Sequence, residues 1–219
     1  MSVNIILLSW ALGGYLLGSI PFGLVLCKVC GYGDIRKSGS GNIGATNVLR
    51  VTKSKILALL TILFDAAKAG LIVYAAFYLV NPKPYMFLDT VTSLNVFAGL
   101  LGGFMAVIGH NFPLWLKFKG GKGVSSSFGL ILVVAPLVAL SLLGIWILTA
   151  VIFRYSSLAA LIAAVAAPLI AFFNTSEIIT FFISLLAALL IVRHRANIRR
   201  LLNGEESKIS FTKNKKKQR

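Results

Sequence analysis

A glycine-rich polar segment at residues 38–50 has the composition of an anion-binding loop. It reads SGSGNIGATNVLR, so glycines and small hydroxyl or amide side chains precede a single arginine. Glycines let the backbone approach a ligand and direct several N–H groups at it, and an arginine adds a planar pair of donors that fits phosphate. The alternative is a flexible loop, but we expect a structured phosphate site. Its candidate ligands are Ser40, Asn42, Asn47 and Arg50.

A second segment, residues 109–123, reads GHNFPLWLKFKGGKG and precedes an apolar stretch. Free N–H groups and the positive dipole end at the start of a helix favour an anion. A Walker A loop requires Ser or Thr after the lysine, whereas Gly123 follows Lys122 here. We therefore predict phosphate binding without nucleotide hydrolysis. The candidate ligands are His110, Gly120, Gly121, Lys122 and Gly123.

A third segment, residues 193–206, reads RHRANIRRLLNGEE. His194 and Asn197 are spaced to share one helical face. Neighbouring cations lower the pKa of a histidine and favour the neutral imidazole, the form that a general base requires. A structural histidine is the alternative. Ser157, at the turn before a later apolar stretch, is either a helix cap or a further polar group of the same site.

Apolar stretches between these segments indicate an all-α membrane protein that positions them. The chain is 58% hydrophobic, whereas soluble domains are about 45–50% apolar, and several stretches approach the ~20 residues that cross a bilayer. Residues 124–153 would form a helix of about 45 Å, too long for one crossing, so we predict two short helices turning between Pro136 and Gly144. Residues 81–93, which contain two prolines, are predicted to be a loop. The predicted spans are Val3–Leu26, Ile56–Val80, Leu94–Ile108, the two short helices, Leu158–Phe173 and Ile178–Val192.

The charge distribution predicts the orientation of these seven spans. Of the 22 basic residues, all but Lys68 and Lys83 fall on one side of the membrane in this arrangement. Basic loops are retained in the cytoplasm, so the N-terminus is expected outside and the C-terminus, the basic tail 207–219 and the three polar segments inside. The net charge of +16 is thus attributed to topology and to contact with anionic lipid, not to nucleic-acid binding.

Two further pairs of residues have structural interpretations. Asp65 and Lys68 lie three residues apart inside the second span, where charges are costly and usually paired, so we favour a structural ion pair over direct chemistry. Cys27 and Cys30 form a lone CxxC. A structural zinc site needs four ligands, so we expect reduced thiols and no metal.

The three segments together resemble the bacterial acyl-phosphate:glycerol-3-phosphate acyltransferase family, whose three signatures appear here in order. Two shorter motifs between these signatures are also similar to the family: Phe64–Asp65 with Lys68, and residues 155–158. The resemblance covers residues 1–206 as one transmembrane acyltransferase domain and leaves out the tail 207–219. It implies seven spans in the bacterial cytoplasmic (inner) membrane, with the active site at the cytoplasmic face.

The resemblance also implies the reaction and the role of each residue. Glycerol 3-phosphate is acylated at its sn-1 hydroxyl by acyl phosphate, giving lysophosphatidic acid and inorganic phosphate, without ATP or another cofactor. It leaves open whether His194 or the substrate's own phosphate removes the proton. Among the residues already named, Ser40 and Arg50 are implied to be essential, Gly120–Gly123 to cradle glycerol phosphate, Ser157, His194 and Asn197 to line the site, and Glu206 to be a structural acid.

Two other functions were weighed against this one. A coenzyme A- or carrier-dependent acyltransferase of the His-x4-Asp type requires Asp five positions after His, where this chain has Trp115 and Arg199. A non-catalytic transporter of a phosphorylated solute or lipid predicts internal repeats and broken helices around midplane ion sites. No such repeat is visible, and only the Asp65–Lys68 pair lies at midplane depth.

Overall fold

The computed structural model describes residues 2–209, which are predominantly helical, as predicted. The last ten residues of the predicted basic tail lie outside this range. The ten α-helices of the described part are α1 Val3–Gly18, α2 Phe22–Val29, α3 Ala45–Thr52, α4 Lys55–Leu79, α5 Leu94–Asn111, α6 Val124–Val134, α7 Pro136–Phe153, α8 Ser156–Asn174, α9 Glu177–Arg193 and α10 Arg195–Leu202. Two short 3-10 helices, Ile35–Lys37 and Leu114–Leu116, lie in the connecting loops.

Five helical segments in residues 2–209 are long and apolar enough to cross a membrane, and α9 with α10, bent by 57°, makes a sixth if the pair is one span. Their outward-facing side chains are large and apolar; Leu148 is 62% exposed and Phe173 75% exposed. Such a surface suits lipid and not water. The five segments are Val3–Val29, Lys55–Leu79, Leu94–Leu116, Pro136–Phe153 and Ser156–Asn174.

The long apolar stretch at 124–153 is divided into two helices, as predicted, but unequally. The break is at Ala135, whose φ of −151° and ψ of 71° are non-helical, because a proline disfavours the helical conformation of the residue before it. The break therefore lies one residue before the interval Pro136–Gly144 in which the turn was predicted, and that interval is itself helical. The two helices have 11 and 18 residues, so the second has full spanning length and only the first is short.

Residues 84–93 contain a β-hairpin where a loop was predicted. Strands β1 (Pro84–Phe87) and β2 (Thr90–Ser93) are antiparallel, and both residues of the connecting turn have positive φ, 47° and 61°. The ring of Phe87 packs on Phe97 of α5 with centroids 4.8 Å apart. Alternating aromatic and β-branched residues favour strands, so the two prolines limit this hairpin without preventing it.

Glycines allow α1 and α5 to pack with their backbones in contact. A Cβ at Gly14 would lie 2.1 Å from the carbonyl oxygen of Gly102, and one at Gly18 would lie 2.0 Å from that of Ala106. Small residues at helix contacts are typical of membrane bundles, where close backbone approach stabilises association. This packing fixes the end of α5 from which the second polar segment departs.

Candidate active site

Distant segments of the chain meet at one end of the helical bundle. Lys122 Nζ donates a hydrogen bond to Asn197 Oδ1 at 2.6 Å. Ser157 Oγ donates to Glu206 Oε1 at 2.8 Å, and Arg50 Nη2 donates at 2.8 Å to the hydroxyl of the serine that follows Glu206. The structure thus brings together the three polar segments and the first turn of α8.

The side chain of Asn47 organises the first segment from within. It is 1% exposed, and its Oδ1 accepts the amide of Ser40 at 2.8 Å. Its Nδ2 donates to the carbonyls of Ile35, Ser38 and Asn42 at 3.0, 3.2 and 2.8 Å. Its polar atoms thus hold the loop together, and a contact of Asn47 with substrate stays a prediction.

Other predicted ligands of the first segment are more accessible. The Ser40 side chain is exposed, and Arg50 is half-buried at the end of α3. Asn42 is half-buried, and its Oδ1 accepts the amide of Gly44 at 3.1 Å in a local turn contact. Hydroxyl, amide and guanidinium donors are therefore presented at the same end as Lys122.

The glycine loop (Gly120–Gly123) is held by its neighbours on both sides. The amides of Gly120 and Gly121 donate to the carbonyls of Asn111 and His110 at 3.2 and 3.0 Å. On the other side, Arg193 Nη2 donates to both glycine carbonyls at 3.1 and 2.9 Å. Two of the four amides are thus engaged inside the protein, and the phosphate cradle stays a prediction that rests on the other two.

The remaining half of the glycine loop leads directly into α6. Gly123 has φ 85° and precedes the first turn of that helix, where N–H groups lack intrahelical acceptors. An anion is therefore offered the amides of Lys122, Gly123 and the first residues of α6, together with the Lys122 ammonium. This is a narrower form of the predicted phosphate site.

Lys122 belongs to a charged network that closes around Glu206. The carboxylate accepts from Asn197 Nδ2 and Ser157 Oγ, both at 2.8 Å, and from Arg200 Nε at 2.7 Å. Burial is the largest cause that lowers the pKa of Lys122, Glu206 opposes it and neighbouring arginines add to it, so that the pKa is about 8. Burial raises the pKa of Glu206, but the hydrogen bonds that it accepts outweigh this, so its pKa lies below the ordinary value. The network therefore keeps the Glu206 carboxylate and the Lys122 ammonium close to each other.

His194 connects α9 to α10 and is 2% exposed. Its Nδ1 lies 2.8 Å from the carbonyl oxygen of Leu190. Because a carbonyl only accepts, Nδ1 carries the proton and Nε2 keeps its lone pair in the neutral ring. Burial and then the nearby Lys122 lower the pKa of His194 to about 4. The imidazole is thus neutral at physiological pH.

His110 lies below the glycine loop and not among the exposed donors. Its Nδ1 is 2.9 Å from Lys68 Nζ, which is itself 2.8 Å from Asp65 Oδ1. The predicted Asp65–Lys68 ion pair is present, and His110 is its third member. Its Nδ1 belongs to this buried triad, and phosphate binding by His110 stays a prediction.

An apolar cavity of about 220 Å³ begins beside the polar network. At one end it is lined by Val124, two residues after Lys122, and by Leu190, the acceptor for the His194 ring. At the other end it reaches Ile131 and Ile183, and alanines between residues 160 and 167 of α8 line one wall. Sequence reasoning missed this cavity, although alanines at 160, 163, 164 and 167 follow the spacing of a single helical face.

A basic cleft of about 630 Å³ lies on the outer side of the glycine loop. Its one carboxylate, Asp34, is paired with Arg36 at 2.6 Å, and the hydrogen bond from Arg36 holds the pKa of Asp34 at about 2. Uncompensated positive charge of this kind raises the local concentration of anions. The remaining cations lining the cleft are Lys37, Lys119, Arg193 and Arg195.

The cysteines and carboxylates do not assemble a metal site in the described part of the chain. No group of three His, Cys, Asp or Glu side chains within residues 2–209 is placed to hold an ion. Cys27 is buried and Cys30 is exposed, and both are free thiols.

Comparison with known proteins identifies the family. A family profile described as glycerol-3-phosphate acyltransferase matches residues 8–204. The chain belongs to this family. It is 51% identical over 203 residues to the glycerol-3-phosphate acyltransferase of Rhodospirillum rubrum, covering 93% of this chain and 91% of the relative. It is 50% identical over 213 residues to that of Maricaulis maris, covering 97% and 92%.

Solved structures give the same assignment. The chain is similar to crystal structures of PlsY, an integral membrane glycerol 3-phosphate acyltransferase, in its glycerol 3-phosphate form and its lysophosphatidic acid form. The TM-scores are 0.81 and 0.80 at 35% sequence identity, with 93% of this chain and 96% and 95% of those chains covered. The family resemblance inferred from the three segments is confirmed, as is its extent across the membrane portion.

Proposed function

We propose that this member of the glycerol-3-phosphate acyltransferase family transfers a fatty acyl group from acyl phosphate to the sn-1 hydroxyl of glycerol 3-phosphate, in bacterial phospholipid synthesis. The products are lysophosphatidic acid and inorganic phosphate. The observation that carries the proposal is the position of the Lys122–Asn197–Glu206 network beside the apolar cavity. Val124, two residues after Lys122, lines the cavity, and so does Ala160, one turn after the Ser157 that donates to Glu206. A substrate with a phosphate head and an acyl chain fits that juxtaposition.

Phosphate binding is assigned to donors that the structure leaves available. The Lys122 ammonium, the Arg50 guanidinium and the amides that begin α6 face the same region, and hydrogen bonds from charged donors to phosphate are the strong ones. The hydroxyl of Ser40 and the amide of Asn42 add neutral donors, whereas Ser157 gives its hydroxyl proton to Glu206 and lines the site. Asn197 orients Lys122 through its 2.6 Å contact.

The chemical step needs positioning more than activation. The sn-1 oxygen attacks the acyl carbonyl, the bond from that carbonyl to the phosphate oxygen breaks, and inorganic phosphate leaves. Acyl phosphate is already an activated anhydride, so the residues contribute alignment of two anionic substrates and stabilisation of developing negative charge. The hydroxyl proton passes either to His194 Nε2 or to a substrate phosphate oxygen, and the reaction uses no ATP and no cofactor.

We further propose that residues 1–206 form one acyltransferase domain of seven spans in the bacterial inner membrane, with the N-terminus outside and the site facing the cytoplasm. The short helix α6 and the 17-residue helix α9 supply the two spans beyond the five long segments, and the arginine-rich α10 follows on the cytoplasmic side. This arrangement puts all four site segments on one side, together with all basic residues except Lys68 and Lys83. Residues 207–209 form hydrogen bonds with Arg50 and Arg154. The first three residues of the proposed tail are therefore held against the domain.

A donor assay with purified protein tests the reaction. Glycerol 3-phosphate is supplied with either acyl phosphate or acyl-coenzyme A, and both lysophosphatidic acid and inorganic phosphate are quantified. We expect turnover with acyl phosphate and equal amounts of the two products. Comparable turnover with acyl-coenzyme A alone would overturn the donor assignment, and glycerol 3-phosphate binding without any product would favour the transporter.

A further inference from the structure

The buried triad of Asp65, Lys68 and His110 is a hydrogen-bonded unit that the proposed chemistry does not use. All three side chains are at most 5% exposed. The Lys68 ammonium meets three acceptors: Asp65 Oδ1 at 2.8 Å, His110 Nδ1 at 2.9 Å and the carbonyl oxygen of Ile20 at 3.0 Å. An ammonium has three N–H donors and no acceptor. Each donor is therefore used once, and the proton of neutral His110 resides on Nε2.

The glycine loop contacts the Nε2 edge of the His110 ring through Gly121. A Cβ added to Gly121 would lie 2.0 Å from His110 Nε2 and 2.7 Å from its Cε1. The Gly121 amide also donates to the His110 carbonyl at 3.0 Å. From the opposite side, Arg193 donates to the Gly121 carbonyl at 2.9 Å and stacks on Phe112, with its guanidinium 4.8 Å from the ring centroid. Gly121 is thus held between an imidazole and a guanidinium.

We propose that the buried triad is a positioning device for Lys122. The hydrogen bond from Lys68 fixes the plane of the His110 ring, and contact with that ring fixes the position of the Gly121 backbone. The position of Gly121 in turn determines where Lys122, the next residue, presents its ammonium to Asn197. The triad acts through Gly121 and does not touch substrate. The inference rests on the proposed function only in taking glycerol 3-phosphate as a ligand of Lys122.

The contacts of the triad with several helices give a reason for buried charges at this position. Ile20 lies at the break between α1 and α2, so Lys68 ties that break to α4 and α5 at the level of the loop. Hydrogen bonds are directional, so they fix the orientation of the His110 ring. Apolar side chains of the same size would fill the space around the ring but would fix its orientation less strictly. A ring that rotates or shifts would move the loop on it.

A double-mutant cycle between His110 and Gly121 tests the contact. We expect Gly121→Ala to raise the KM for glycerol 3-phosphate because its methyl group meets the ring. His110→Ala removes the ring, so Gly121→Ala should cost much less in that background, with a coupling of about 2- to 150-fold in KM. The matched control is Gly103→Ala in α5, whose Cβ would meet only the side chains of Val73 and Leu130. It should lower the unfolding temperature and leave KM unchanged. Additive effects of the two substitutions would overturn the inference.

Removal of both charges tests the rest of the triad without leaving one of them unpaired. We expect Asp65→Leu combined with Lys68→Met to raise the KM for glycerol 3-phosphate more than it lowers kcat, whereas a purely structural role would lower active enzyme and leave KM unmoved. Calorimetric binding of glycerol 3-phosphate to the same folded variants gives a readout independent of turnover. If the wild type binds this ligand but does not use acyl phosphate, the proposed function fails while the positioning inference stands on the binding data. Unchanged affinity in a folded double variant would overturn it.

Discussion

At the scale of single residues, the site contains two titrating groups, His194 and Lys122. The environment of each lowers its pKa and so favours its neutral form. His194 has a pKa of about 4 and Lys122 a pKa of about 8, in both cases chiefly because of burial. A neutral imidazole is suited to accept a proton, and a lysine at this pKa is still mostly protonated at pH 7. The two groups therefore have compatible states over the physiological range.

The pH dependence of kcat identifies the group that removes the proton. If His194 is the base, the rate should fall only as the pH drops through about 4, and His194→Ala should lose roughly 10²- to 10⁴-fold. If a substrate phosphate is the base, the acid limb should lie near ~6 and persist in His194→Ala. A depressed histidine pKa also lowers folding stability as the pH falls from ~6.5 toward the folded pKa, so the unfolding temperature is measured at each pH.

Lys122 should control the alkaline limb of glycerol 3-phosphate binding. Because the ammonium is the form that attracts phosphate, the KM should rise as the pH passes about 8. Lys122→Met should raise KM at pH 7 by the equivalent of ~1.5–3 kcal/mol, the range for a hydrogen bond to a charged group. Lys122→Arg keeps its charge, so any activity that it retains should lack the alkaline rise. An identical alkaline limb in the arginine variant would assign that ionisation to another group.

At the scale of elements, α8 presents small side chains to the apolar cavity while its outer face presents large ones. Ala164 and Ala167 are 5% and 4% exposed, whereas Val165 between them is 67% exposed. Small residues on the inner face leave room between α6, α8 and α9, and the cavity occupies that room. The width of the proposed acyl site is therefore a property of one helical face.

Ala167→Leu should shorten the acyl chain that the enzyme accepts. The larger side chain fills the end of the cavity away from Lys122, so activity with long-chain acyl phosphates should fall while short-chain donors are still used. Ala171→Leu is the matched control, because Ala171 is buried one turn further along α8 and does not line the cavity. A uniform loss across chain lengths in Ala167→Leu, equal to that of the control, would show that the cavity does not hold the chain.

At the scale of the whole molecule, charge and site occupy the same end of the bundle. Hydrogen bonds link the glycine loop, the first turn of α8 and residues 193–206 at this end, and the basic loops adjoin them. The hairpin formed by β1 and β2 lies between α4 and α5, two helices that must run in opposite directions if each spans the membrane once. The proposed topology places this hairpin outside and the site inside.

Cysteine accessibility in intact cells tests that orientation. In a background without Cys27 and Cys30, a cysteine at exposed Lys119 or Arg195 should react with an impermeant thiol reagent only after lysis. A cysteine at Asp89, in the exposed turn of the hairpin, should react from outside and serves as the positive control. Labelling of Lys119→Cys or Arg195→Cys in intact cells, or protection of Asp89→Cys, would contradict the seven-span arrangement.

Much of this protein is determined by properties that are local in the chain. The length of an apolar stretch, the conformational limit that Pro136 places on Ala135, and the i, i+3 spacing of Asp65 and Lys68 depend on neighbouring residues only. The helices, the break and the ion pair were therefore predictable, and the three polar segments were sufficient to identify the family. The hairpin was missed because its strands are stabilised by packing on Phe97 as well as by their own residues.

The tertiary structure decided which polar groups remain available to a ligand. Asn47 and the amides of Gly120 and Gly121 have the right chemistry for phosphate, but each finds a partner inside the protein. His110 meets Lys68, which lies 42 residues away in sequence, and Lys122 meets Asn197 across 75 residues. A residue type determines which groups a side chain is able to bind, whereas folding determines which partner it meets, because most buried polar groups in a folded protein form hydrogen bonds within it.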